Sequence, residues 1–254
     1  MSSARTGALV TGASRRIGRE IALDLAAHGF DVAIHCHGSR GEAEQVCREI
    51  EGVGGRAAII EADLTDMAAC ADLVARAAAS VGAVRLLVNN ASVFEDDALT
   101  DFGWDRWERH FALHLKAPVE LARGMAAGLP AGQDGLVVNI IDQRVWKLTP
   151  RYFSYTLSKS ALWTATQTMA QALAPRVRVN AIGPGPTLRN DRQRQADFDA
   201  QVAALLLGRG PDLAEFGRTI RYLWDARSVT GQMIALDGGQ HLAWETPDAA
   251  GAVE

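Results

Sequence analysis

Seven short apolar runs, with stretches of helical period between them, constrain this chain more than any other feature. "GALVTG", "DVAIHC", "RAAIIE", "RLLVNN", "GLVVNII", "VRVNAI" and "QMIALDGG" are rich in Val and Ile and apolar on successive residues, as strands buried on both faces must be. Between them the period changes: Ile17, Ile21 and Leu25 share one helical face, as do Ala43, Val46 and Ile50, and Leu73, Ala77 and Val81. Each right-handed crossover between parallel strands needs a helix to bring the chain back. The expected class is therefore α/β: a single doubly wound domain over residues 1–254, with a seven-stranded parallel sheet and helices on both faces. No repeat, low-complexity segment or linker interrupts it. The segment 188–212 is charged first and then apolar, which suits either an ordinary crossover with a mobile start or a lid; 186–212 is assigned as a substrate-binding loop. The small, polar tail after Trp244 is expected to fray.

Charge narrows the partner. Lys and Arg number 26 against 30 Asp and Glu, with both signs scattered, so there is no basic stripe for nucleic acid and no polybasic segment for a membrane surface. No uncharged apolar run approaches the roughly 20 residues of a membrane helix. A small-molecule partner is expected. Cys36, Cys47 and Cys70 are odd in number and lack CxxC spacing, which points to a reducing compartment and incidental thiols. The N-terminus reaches its first strand within a few residues and shows no leader, so a soluble, cytoplasmic protein is expected.

"VTGASRRIGRE", Val10 to Glu20, leaves the first strand and opens the first helix. Gly12 and Gly18 suit a tight turn that aims backbone N–H groups and a helix N-terminus at a diphosphate. A β-α turn that binds nothing is the plain alternative, and the lack of Gly-Lys-Ser/Thr disfavours a nucleoside triphosphate. The second strand ends in His35, His37, Ser39 and Arg40, where binding of NAD calls for an acid; with Arg15 and Arg16 in the glycine loop, this set favours NADPH. His35 and His37 share a strand face but have no third ligand nearby, so no metal is expected.

"YTLSK" places Tyr155 and Lys159 four residues apart on one helical face. An ammonium beside a phenol favours the anionic form and brings its proton chemistry toward working pH. An isolated YxxxK is more often a solvated helix pair. Here it stands among "TGASRRIG" at 11–18, "ADL" at 62–64, "NNAS" at 89–92, "RVNAIGPG" at 178–185 and "TGQMIALDGG" at 230–239. In order and spacing the chain resembles the short-chain dehydrogenase/reductase family over essentially its whole length. The resemblance implies a Rossmann-type NAD(P)-binding domain, commonly a homotetramer, in which Tyr155 protonates substrate and Lys159 also holds the cofactor ribose. It places Asp63 and Leu64 beside the adenine, Asn89 as a brace of the fourth strand near the ribose, and Pro184 and Gly185 along the nicotinamide; Ile17 and Ala91 belong to the same cofactor set. At the family's usual Asn position stands His114, which implies a proton relay with its own pH dependence or altered chemistry.

Thirteen residues before Tyr155, where the family usually has Ser, stands Asp142. A carboxylate would repel the negative charge that develops on a ketone oxygen, whereas a substrate with N–H donors would suit it. Asp142 is similar to the acid of the pteridine reductase branch, as are Arg16 in place of the middle glycine, the HxH strand end, and Phe94 after "NNAS". That likeness implies a pterin stacked on Phe94, with Arg16 and Ser92 at its polar edge and Asp142 orienting both Tyr155 and the ring. The expectation is an NADPH-dependent reductase of dihydropterins or dihydrofolate. The alternatives are an oxidoreductase of another carbonyl or alcohol, and an NADPH-binding regulatory protein with little turnover.

Overall fold

In a computed structural model describing residues 5–189 and 193–244, each of the seven apolar runs forms a strand. β1 (Thr6–Val10) leads to α1 (Arg16–Ala27), β2 (Phe30–Cys36) to α2 (Arg40–Gly52), and β3 (Ala57–Glu61) to α3 (Met67–Val81). β4 (Val84–Asn89) is followed by α4 (Trp104–Phe111), a π-helical stretch over Ala112–Lys116, α5 (Ala117–Gly128) and β5 (Gly135–Ile140). Then come α6 (Phe153–Leu173), β6 (Val177–Pro184), α7 (Gln195–Ala203), α8 (Leu213–Asp225) and β7 (Met233–Leu236). All pairings are parallel, in the order β3-β2-β1-β4-β5-β6-β7.

Successive strand residues face opposite ways, so the sheet feeds two cores. Ala8 and Val10 pack with Ile21 and Leu25 of α1 and with Phe216 and Ile220 of α8, whereas Leu9 packs with Leu73 of α3 and with Leu121 and Met125 of α5. These side chains are all but fully buried, and each large one stabilises the fold by about 1.5–3 kcal/mol. The helical stripes read from the sequence all face inward; Ile17 alone is only partly covered. Being apolar on both faces is what forces the two-sided arrangement.

β1 is flanked by β2 on one side and β4 on the other. The chain runs outward through β3 and then crosses back to β4, so the connections after β1 and β4 part in opposite directions and open a crevice at the strands' C-terminal ends. The 186–212 segment borders this crevice and contains α7. Residues 190–192 of that segment, and the tail expected to fray, lie outside the described residues. Among those described, no helix is long and apolar enough to cross a membrane.

Candidate active site

The crevice is a cleft of about 1620 Å³. Its floor is stitched where β1 and β4 end. Thr11 Oγ1 accepts from the N–H groups of Asn90 and Ala91 at 2.9 and 3.0 Å, and Asn90 Nδ2 donates to the carbonyls of Thr11 and Gly12 at 2.8 and 3.1 Å. Gly12 has φ +61°, and a Cβ on Gly18 would collide with the Gly12 carbonyl and the Asn90 amide. The turn thus closes on itself with room for a ligand against its backbone and the N-terminus of α1.

Arg16 adopts φ +54°, the left-handed conformation that glycine takes freely and that costs other residues about 1–2 kcal/mol. Its guanidinium borders the cleft but is tied rather than free. It donates to the carbonyls of Leu188 and Arg189 at 3.1 and 3.0 Å, tying the glycine loop to the start of the 186–212 segment.

The predicted cofactor residues Gly12, Arg15, Arg16, Ile17 and Gly18 line one arm of the cleft, with His35, His37, Ser39, Asp63 and Leu64 beyond them. His35 differs from the expectation of a phosphate-facing cation. It is 2% exposed, accepts from Gly12 N–H through Nδ1 at 3.1 Å and donates through Nε2 to Ala62 O at 3.1 Å. Burial pushes it down to about 4, so it shapes the glycine loop as a neutral ring. His37 is exposed, with Asp63 3.9 Å away. Thr65 donates to Asp63 Oδ1 from its N–H and its hydroxyl, both at 2.8 Å, and holds that carboxyl below its ordinary range. Ser14 and Ser39 pair at 2.8 Å, and Arg40 lies beside Glu44 and Glu61.

Ala91, Ser92, Phe94, Asp142, Tyr155, Lys159, Pro184 and Gly185 line the central cleft, but Asn89 does not. Asn89 is 4% exposed and donates to Asn139 Oδ1 at 2.8 Å, and Asn139 in turn donates to Thr166 Oγ1 at 2.8 Å. It therefore braces β4 to β5 and α6, and the adjacent Asn90 is the one that faces the cleft.

α6 presents Tyr155 and Lys159 to the end of β5, where Asp142 stands. Tyr155 Oη donates to Asp142 Oδ2 at 3.0 Å, and Lys159 Nζ donates to Ile140 O at 2.9 Å. Asp142 Oδ1 accepts from Arg144 N at 2.9 Å, capping a 3-10 turn over Gln143–Val145. Burial raises the Asp142 carboxyl, with the Arg144 guanidinium and N–H pulling the other way. The Lys159 ammonium does not by itself bring Tyr155 to its anion in this setting. Burial first, and the Asp142 charge second, raise the phenol well above its ordinary range, while burial lowers Lys159 to about 8. Desolvation penalises each charged form more than the neighbouring charges favour it. Tyr155 is a protonated phenol in this setting, the form that can give a proton.

His114 is also resolved. Its Nε2 accepts from Val93 N–H at 3.2 Å and lies 3.0 Å from Ser92 Oγ, so the ring proton sits on Nδ1, 2.9 Å from Ser158 Oγ. Burial holds it well below the ordinary histidine range. Both nitrogens are thus engaged, and no hydrogen bond among the described residues joins it to Lys159. The expected relay with its own titration gives way to a neutral strut between the β4 loop and α6.

Phe94 stacks on Tyr152 at 4.3 Å and 18°, and meets Tyr155 edge-on at 4.8 Å. Tyr152 has φ +56°, a strain that turns its ring onto Phe94. Arg144 lies over both rings, 4.8 Å from that of Tyr152 and 5.4 Å from that of Phe94. Sequence reasoning missed Arg144, Tyr152 and Asn90. The available signals were a cation two residues beyond Asp142 and an aromatic just ahead of the YxxxK helix.

The sequence profile of the short chain dehydrogenase family matches residues 6–199. A short-chain type dehydrogenase/reductase of Picea abies is 31% identical, with 92% of this chain and 91% of that protein covered. Two crystal structures, both described as FolM alternative dihydrofolate reductase 1 with NADP, superpose with a TM-score of 0.94. The one from Brucella canis is 60% identical, covering 96% of this chain and 97% of that one; the one from Brucella suis is 61% identical, covering 96% and 98%.

Proposed function

The chain belongs to the short-chain dehydrogenase family, and from that premise we propose that it is an NADPH-dependent reductase of dihydropterins, dihydrofolate among them. The observation that carries this reading is a carboxylate, Asp142, facing the cleft 3.0 Å from the phenol of Tyr155. An anion there stabilises a ligand that brings N–H donors and opposes one whose oxygen gains negative charge. The NADP-bound Brucella reductases, at 60% and 61% identity, support the same cofactor and substrate class.

The glycine loop fits a dinucleotide: Gly12 and Gly18 line the cleft and let the turn close tightly, since a Cβ on Gly18 would strike the Gly12 carbonyl and the Asn90 amide, and the end of β2 offers His37, Ser39 and Arg40 with no acid among them. Gly12, Arg15, Ile17 and Gly18 would hold the diphosphate, Asp63 and Leu64 the adenine, and Lys159, Ala91, Pro184 and Gly185 the nicotinamide end. When bound, NADPH supplies the hydride that reduces a ring C=N at carbon. Tyr155, kept protonated by burial, gives its proton to the adjoining ring nitrogen. Asp142 accepts from the phenol, fixing its direction, and receives the ring's N–H groups. The buried ammonium of Lys159, 5.8 Å from the centre of the Tyr155 ring, would offset part of the charge on the phenolate left behind. Ser92 and Phe94 border the ring, and the 186–212 segment, tied to Arg16, covers the substrate side. Assembly as a homotetramer through α5 and α6 rests on the family alone.

Loss of NADPH absorbance with dihydrobiopterin, dihydromonapterin and dihydrofolate, set beside a simple ketone, tests the proposal. Turnover of the ketone alone would overturn it, and tight NADPH binding without turnover of any of them would favour a regulatory role.

A further inference from the structure

The reading above leaves Arg144, the charged group of the cleft that stands beside Asp142, without a task. Arg144 is half-buried, yet its Nε and Nη1 are shut off from solvent and make no hydrogen bond to the protein among the described residues. Its Nε stands 3.8 Å from Asp142 Oδ1, too far for a hydrogen bond. The guanidinium is held from the other side by the rings of Tyr152 and Phe94. A buried donor left unpaired costs about 1–3 kcal/mol, more when charged, and Tyr152 adds backbone strain to hold the plate in place. A constellation kept at that cost beside the catalytic phenol is suited to a ligand.

Resting on the dihydropterin reading, we propose that Arg144 is a specificity-determining residue, donating to an oxygen acceptor of the substrate whose N–H groups Asp142 receives. Carboxylate and guanidinium side by side present an acceptor next to a donor. That pattern complements a ring edge on which N–H adjoins C=O, and it rejects an edge that carries donors alone. The acceptor has two possible sources, the ring carbonyl or a carboxylate on the substrate's tail, and the two are separable by experiment.

The test uses the whole chain with NADP+, which permits binding without turnover, and follows quenching of tryptophan fluorescence. Arg144→Met keeps the stem and removes the donors; Arg144→Lys keeps a cation near Asp142 but loses the planar fork. Both should bind NADP+ within about twofold of wild type, which also shows that they fold. Arg144→Met should weaken dihydropterin binding about 10- to 100-fold, with Arg144→Lys restoring it only in part. An equal loss for dihydrobiopterin and dihydrofolate assigns the ring carbonyl, and a loss confined to dihydrofolate assigns the tail carboxylate. Unchanged affinity for both ligands, or a fall in kcat at constant KM, would overturn the role of Arg144 while leaving the dihydropterin reading intact. Wild-type protein that binds NADP+ but neither pterin would overturn both.

Discussion

Replacing Lys159 by Met should remove one component of the pH dependence of folding, and its size follows from burial. Lys159 is 2% exposed with one hydrogen bond, to Ile140 O, and burial lowers it from 10.5 to about 8. A lysine with a lowered folded-state value binds fewer protons in the folded protein than in the unfolded chain. Stability therefore rises with pH between the two values and is lost as pH falls through about 8. The gap, at about 1.4 kcal/mol per pH unit, amounts to about 3 kcal/mol when both states are protonated. Between about pH 7 and about pH 9.5 the wild type should gain about 2 kcal/mol that Lys159→Met does not. Losing the bond to Ile140 shifts the variant by the same amount at every pH and drops out of the comparison. Urea unfolding of both cofactor-free proteins at several pH values measures the difference directly. A wild-type-minus-variant stability that stays flat to within about 0.5 kcal/mol across that window would show that the ammonium is solvated or fully compensated, and the electrostatic account of the site would fail.

Three further outcomes are expected. Asp142→Ser should lower dihydropterin turnover about 100-fold or more while moving the NADPH dissociation constant less than about threefold; steady-state kinetics beside cofactor titration decide it, and equal turnover would remove the role given to the carboxylate. Arg16→Gly should relieve about 1 kcal/mol of left-handed strain and release the carbonyls of Leu188 and Arg189; Tm should hold or rise while KM for the pterin increases, whereas a lower Tm with unchanged KM would refute the tie to the substrate segment. Nitrogen NMR of His114 should show a neutral ring protonated at Nδ1 throughout the range in which an ordinary histidine titrates, since burial holds it well below that range; a titration at the ordinary histidine position would restore the relay.

The strands, the helical faces and the two-sided sheet were legible because they follow from side chains within a few residues of one another: unbroken apolar runs, 3.6-residue stripes and glycines where backbone must pass close to backbone. The glycine loop, Asp142, Tyr155 and Lys159 were legible for the same reason, being short motifs whose neighbours in sequence are neighbours in space. What those residues do was decided by tertiary contacts. His35 meets Gly12 across 23 positions and is neutral because the fold buries it; His114 meets Ser158 across 44 and becomes a strut. Asn89 and Asn90 are alike in sequence, and only the direction of each side chain at the end of β4 separates a brace from a cleft residue. Tyr155 carries an ammonium one helical turn away, yet desolvation outweighs that charge and keeps the phenol protonated. Residue type and spacing chose the groups, while burial, which a sequence does not record position by position, set their protonation and their partners.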